Sequence, residues 1–358
     1  MYPRVHSMRA ATLPYVAAIL EATIATMQKS IRRIQGLAYS VVLNSALTMG
    51  VVSIVVVAPA SRVFGITDNS ILSPVIVDSH KASALKGINI GNDQSSTPNS
   101  PYQSAQNEAD LAYLKGKVSR IRIALAYGLD ANDVRNLKRL AIEAKKQGFY
   151  VQFGITAGAD SDINTYYNRW LSDDIVATAI WAQANHIDEF AIGNEEDWYR
   201  QFLNAYNAKT PREIRDDVRA KVADVRKVYS GSIVYADAES NLDDWIHEGI
   251  GGLDRIYFNV FDSQPNFQNI ITKIVDNFGV DHGGITEWAA EHGYNEMLQS
   301  GMSPEQYGKE IMDRAAIVKK SGLPAYMFTL RMDPSGSDWG LMLGDGTKRP
   351  GLDEFLAL

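Results

Sequence analysis

Two short stretches of the chain hold carboxylates in company that suits chemistry: Gly193-Asn194-Glu195-Glu196-Asp197-Trp198 and Thr286-Glu287-Trp288. If the fold sets Glu195 and Glu287 face to face across a pocket rimmed by Trp, one can protonate a glycosidic oxygen while the other attacks or stabilises the sugar carbon. A separation of about 5 Å retains configuration at that carbon, and one of roughly 6.5–9.5 Å inverts it. Other chemistries have less support. The chain has no Cys, which removes a thiol nucleophile, a disulfide framework and a thiolate metal site. His80, His186, His247, His282 and His292 show no metal-ligand spacing, and neither a metal nor a cofactor is expected.

Whether the two carboxylates meet depends on the elements around them. From Leu85 onward, short apolar runs alternate with helical patterns. Strands are expected at 85–91, 118–125, 149–155, 187–192, 232–236, 253–261, 284–286 and 325–330, with a polar loop from Asn92 to about Ser104. A helix over 130–147 places Val134, Leu137, Leu140, Ala141 and Ala144 on one face, with Gly148 as its stop. Others are expected around 175–184, at 267–278 and at 350–358. Thr210-Pro211-Arg212-Glu213 has the form of an N-cap, a first-turn Pro and a capping-box Glu. Ser303-Pro304-Glu305-Gln306 opens a later helix, stopped by Gly322.

Eight strand–helix units at this spacing imply parallel strands joined by right-handed crossovers. The expected fold is α/β, a (β/α)8 TIM barrel over 85–358, preceded by an N-terminal hydrophobic helix. The rival is a doubly wound sheet, which needs a phosphate-cradling glycine loop after its first strand. Gly87-Ile88-Asn89-Ile90-Gly91 lacks the third glycine and enters a polar loop. In a barrel, active residues stand at the carboxyl ends of the strands. Glu195 then follows strand four and Glu287 strand seven, on opposite sides of the ring.

Asn194-Glu195 at the end of strand four and Glu287 at the end of strand seven resemble the signature of the clan A glycoside hydrolases, retaining enzymes on a TIM barrel. The resemblance covers about 85–358. It implies Glu195 as acid/base, Asn194 as a contact to the sugar 2-hydroxyl, Glu287 as nucleophile and Arg122, near the end of strand two, as its support. The ending Trp339-Gly340-Leu341 through Asp345-Gly346-Thr347-Lys348-Arg349-Pro350 resembles the turn before the last helix in several clan families. The chain departs from the pattern in three places. Glu196 stands where many members have Pro, no His-x-Tyr is evident near strand six, and Leu330-Arg331 replaces the frequent Trp ending strand eight.

Beside the carboxylates, Trp198, Trp288 and Trp339 follow strands four, seven and eight and are the expected sugar-stacking platforms. Asn259 and Asp262 lie past strand six, where a polar contact to substrate is expected of Asn259. Asp237 and Glu239 follow strand five. The implied function is a glycoside hydrolase acting on a polysaccharide or oligosaccharide by double displacement. The alternative is a non-catalytic carbohydrate-binding or cell-surface scaffold protein on the same barrel. A transglycosylase differs from the first only in its acceptor.

The net charge of −7 is uneven. Residues 1–60 carry Arg4, Arg9, Lys29, Arg32 and Arg33 against Glu21 alone, a net of +4, which leaves −11 for the remainder. An acidic body argues against a nucleic-acid partner. Between Arg33 and Arg62 there is no charged residue, and the run over 37–60 exceeds the roughly 20 apolar residues that span a bilayer. Lys29, Arg32 and Arg33 before it predict a cytoplasmic start and an extracytoplasmic body, secreted or membrane-anchored. Ala58-Pro59-Ala60 resembles a small-x-small cleavage site, so signal peptide and anchor both stand. Residues 61–84 read as a linker. Oligomeric state is left open.

Overall fold

A computed structural model describes residues 86–91, 101–126, 131–156, 174–196, 209–331, 339–343 and 345–358. In chain order the elements are β1 (Lys86–Asn89), α1 (Pro101–Leu114), β2 (Arg120–Ala126), α2 (Ala131–Lys146), β3 (Tyr150–Thr156), α3 (Ile175–Ala184), β4 (Glu189–Asn194) and α4 (Pro211–Arg226). They continue with β5 (Ser232–Ala238), a 3-10 turn (Glu239–Asn241), α5 (Leu242–Glu248), β6 (Arg255–Val260), α6 (Gln264–His282), β7 (Gly283–Trp288), α7 (Tyr294–Gln299), α8 (Pro304–Ser321), β8 (Ala325–Met327) and α9 (Leu352–Ala357). All eight strands pair in parallel and the ring closes where β1 meets β8, with Ile88 opposite Met327. This is the expected TIM barrel. The head (1–60), the hydrophobic helix expected in it and the linker (61–84) lie outside the described residues. Among the described residues no helix is long and apolar enough to cross a membrane.

The helices form for the reasons their sequences contain. Thr210 caps α4 reciprocally: its hydroxyl accepts from the Glu213 amide (3.3 Å), and its own amide donates to the Glu213 carboxylate (2.7 Å). Ile214, Val218, Val222 and Val225 then bury one face against the sheet. Ser303 and Gln306 build the same box at the start of α8, and Gly322 ends it in the left-handed region at φ 73°. Two helices have no counterpart in the sequence pattern, α5 and α7. At seven and six residues they are too short to show a helical period. The first helix begins at Pro101, inside the stretch expected to be loop.

The barrel's interior is layered. Its lower layer comes from the even strands: Arg120 on β2, Glu189 on β4, Tyr257 on β6 and Tyr326 on β8, all buried. Both hydroxyls reach Glu189, from Tyr257 at 2.8 Å and from Tyr326 at 3.3 Å. Arg120 lies 3.6 Å from Glu189 and stacks on the Tyr150 ring. Glycines on the odd strands make room for the tyrosines. A Cβ at Gly87 would stand 2.6 Å from the Tyr326 ring, and one at Gly284 would stand 2.3 Å from that of Tyr257. Above this layer the strands carry a second polar set, toward their carboxyl ends. The sheet register shifts at that level, between Ala191 and Asn194, between Phe258 and Asn259, and between Ile285 and Trp288. Such irregularities re-aim side chains next to functional sites.

Candidate active site

The upper layer joins Asn89 of β1, Arg122 of β2, Asn194 of β4, Asn259 of β6 and Glu287 of β7, with Glu195 directly after β4. Arg122 is its hub. One guanidinium nitrogen, Nη1, donates to Glu287 Oε1 (2.7 Å) and to Asn89 Oδ1 (2.8 Å); Nη2 donates to Asn194 Oδ1 (2.9 Å). Asn259 Nδ2 donates to Glu195 Oε1 (2.8 Å) and approaches Asn194 Oδ1 at 3.3 Å. The two carboxylates are thus linked through Arg122, Asn194 and Asn259.

Neighbours set the orientation of each amide. Thr286 donates its hydroxyl to Asn259 Oδ1 (2.7 Å), which turns Nδ2 toward Glu195. Asn89 donates to the carbonyls of Thr286 and Met327, which turns its own oxygen toward Arg122. Asn194 Oδ1 accepts twice, so Nδ2 is the end of that amide open to a ligand. One oxygen of each carboxylate is similarly occupied. Among the described residues, Glu287 Oε2 and Glu195 Oε2 take part in no hydrogen bond.

Backbone geometry sets Glu195 apart. Its φ is 57°, in the left-handed region, at a cost of about 1–2 kcal/mol for a residue with a side chain. The amide of Glu195 is held by the Ala236 carbonyl of β5 at 2.9 Å. The Glu195 carboxyl is pushed up to about 8, first by burial and then by the negative charge of Glu287. The Asn259 hydrogen bond and Arg122 pull the other way without reversing it. At neutral pH Glu195 therefore holds a proton beside Glu287, whose Oε1 is engaged by Arg122.

This has a consequence for stability. A carboxyl that titrates near 4.5 when unfolded and near 8 when folded binds its proton more tightly in the native state. Folding stability then falls as pH rises from the first value through the second. Glu195→Gln removes that loss. The melting temperature of the variant is expected to exceed that of the wild type by a margin that grows between those two pH values, as read by calorimetry across the range. A constant margin across this range would contradict the elevated ionisation.

The other expected site residues have varied places. Trp288 does not reach the mouth. Strand alternation turns it away from Glu287, and it is 1% exposed between the barrel and its helices, with the rings of Phe267 and Phe355 at 6.4 and 5.7 Å. Its expected role as a sugar platform is corrected to core packing. Trp198 lies outside the described residues. Trp339 is half-buried beside Phe261 (5.3 Å) and Phe328 (6.4 Å), an aromatic group gathered over the ends of β6 and β8 on either side of Glu287. The eighth strand stops at Met327, so the side chain at its end is Phe328. Leu330 is buried, and Arg331 pairs with Asp110 of α1.

Asp237 accepts from the Trp245 indole (2.5 Å), the Asn241 amide and the Ala238 amide, a clasp that shapes the turn after β5. Glu196 is fully buried, with Oε1 3.4 Å from the Asn194 amide. Sequence reasoning missed Asn89, Phe261 and Phe328. For Asn89 the available signal was a polar residue between Ile88 and Ile90 at the end of a buried strand. Phe328 lies within an apolar run that continues to Leu330, so the sequence reads as strand where the strand ends at Met327.

Comparison with known proteins finds likeness in structure. A GH113 β-1,4-mannanase matches with a TM-score of 0.55 at 13% identity, over 77% of this chain and 98% of the other. The Ignisphaera aggregans GH53 catalytic domain matches at 0.52 and 16%, over 76% and 96%. A GH5-4 broad specificity endoglucanase from Bacteroides salanitronis matches at 0.52 and 14%, over 76% and 91%. No family model and no curated protein matches the sequence. The chain shares its closed eight-stranded parallel barrel fold with these structures.

Proposed function

We propose that this protein is a retaining glycoside hydrolase of a polysaccharide or oligosaccharide. The observation that carries the proposal is the linkage of Glu195 to Glu287 through Arg122, Asn194 and Asn259, and the raised ionisation of Glu195 agrees with it. In the first step Glu287 attacks the anomeric carbon as Glu195 passes its proton to the departing glycosidic oxygen. The negative charge of Glu287 disappears into the new ester, so one cause of the raised Glu195 ionisation disappears with it. Glu195, now a carboxylate, takes a proton from water as that water attacks the anomeric carbon and frees Glu287. Asn194 Nδ2 is placed to hold a sugar hydroxyl, and Phe261, Phe328 and Trp339 offer an apolar face for a sugar ring.

The test is hydrolysis of a panel that includes β-1,4-mannan and β-glucan, followed as new reducing ends. Proton NMR of the first-formed anomer reads the stereochemistry. Release of sugar with retained configuration is the expected result; inversion would overturn the double displacement. Saturable glycan binding with no turnover would favour the carbohydrate-binding scaffold instead. We also propose an extracytoplasmic location, supported by the basic residues 29–33 and the charge-free run over 37–60. Recovery of the full chain in the soluble cytoplasmic fraction would refute it.

A further inference from the structure

We propose that Glu239 is a positioning residue for Glu195: its carboxyl clasps the ends of β5 and β6, the two strands from which Glu195 is held, and sets a further negative charge beside it. The inference rests on the acid/base role given to Glu195 above. It begins with how Glu195 is held. The backbone of Glu195 hangs from Ala236 of β5, and its side chain is held by Asn259 of β6. Glu239 follows Ala236 by three residues and ties the ends of the same two strands together. Its Oε2 accepts from the Phe261 amide at 3.2 Å, two residues beyond Asn259. One side chain thus spans the two strands that fix the acid/base.

The charges around this pair come from several elements. Glu195 is met by Glu287 of β7 and Arg122 of β2 as well as by Glu239. Glu239 is met by Asp262, after β6, and by Arg314 of α8, whose guanidinium also faces Glu310 and Glu291. Burial first, and then the charge of Asp262, push the Glu239 carboxyl up to about 7, against the pull of the Phe261 amide. Both carboxyls therefore ionise above the usual carboxylate range. A negative charge on Glu239 discourages the ionisation of Glu195, and the proton stays on Glu195 over a wider range.

Glu239→Gln separates charge from geometry, because an amide oxygen still accepts from Phe261. Below pH 6, where Glu239 is itself neutral, the variant should match the wild type. Above pH 8 its kcat/KM should be about threefold lower, as the alkaline limb moves down by roughly half a pH unit. Glu239→Ala also loses the clasp, and its rate should fall below pH 6 as well. A second readout needs no turnover: the titration of the Glu195 carboxyl, followed by carbon-13 NMR and assigned by its disappearance in Glu195→Gln. A lower Glu195 midpoint in Glu239→Gln supports the inference even if no glycoside is hydrolysed, an outcome that would count only against the hydrolase proposal. An unmoved midpoint in the folded Gln variant overturns the electrostatic role, and wild-type kcat/KM in Glu239→Ala below pH 6 overturns the clasp.

Discussion

Glu287→Gln is expected to lower kcat/KM for glycoside hydrolysis by at least about 10⁴-fold, the scale seen when a nucleophile is removed from a concerted site. The amide cannot form the glycosyl ester, and no other described carboxylate is held by Arg122 in the upper layer. Glu195→Gln should be distinguishable from it. On a substrate with a poor leaving group the loss is expected at about 10²–10⁴-fold, because departure then needs the proton. On an aryl glycoside whose phenolate leaves unaided, the first step should proceed and the second should stall, giving a burst of phenol followed by a slow steady state. Stopped-flow absorbance reads both phases. The wild-type kcat/KM should fall as pH rises through about 8, where Glu195 loses its proton. Wild-type turnover by both Gln variants would remove these residues from the chemistry.

The second expectation concerns the layer beneath the site. Glu189→Leu should destabilise the barrel by about 3–5 kcal/mol, read from urea unfolding, because it strands Arg120 without its carboxylate. Arg120 is 1% exposed and Glu189 likewise. Burial alone would push the Glu189 carboxyl up; the charges of Arg120 and Arg255 and the bonds from Gln152 and Tyr257 hold it below the usual range. Removing the carboxylate leaves the Arg120 charge, two tyrosine hydroxyls and the Gln152 amide facing a methyl group. Replacing Arg120 and Glu189 together by Leu should recover part of the loss, since Arg120 no longer stands buried without its carboxylate. A single Leu variant as stable as the wild type would show that the pair contributes nothing to the fold.

Much of this architecture was legible before any coordinates. Eight alternating units, two capping boxes and an apolar periodicity on longer helices such as α2 and α4 are local properties. Thr210 and Glu213, or Ser303 and Gln306, need only three residues of chain to find one another. The two carboxylates were legible for a related reason: the carboxyl end of a strand is a place in the sequence as well as in the barrel. Trp288 shows where this stops. Standing beside Glu287 in sequence it looked like part of the mouth, and the two-residue period of the strand sent it to the opposite face.

Residue types, element order and the positions of Glu195 and Glu287 at strand ends follow from local chemistry, and the chain alone was enough to establish them. Closure of the ring settled the rest. It brought Arg122 from β2 to Glu287 on β7, a separation of 165 residues, and Asn259 to Glu195 across 64. It also set Glu239 across the neighbouring strand end. The elevated ionisation of Glu195 arises from burial and from charges on other strands, so no window of sequence contains it. Proton affinity is a sum over neighbours in space, and only the closed barrel says who those neighbours are.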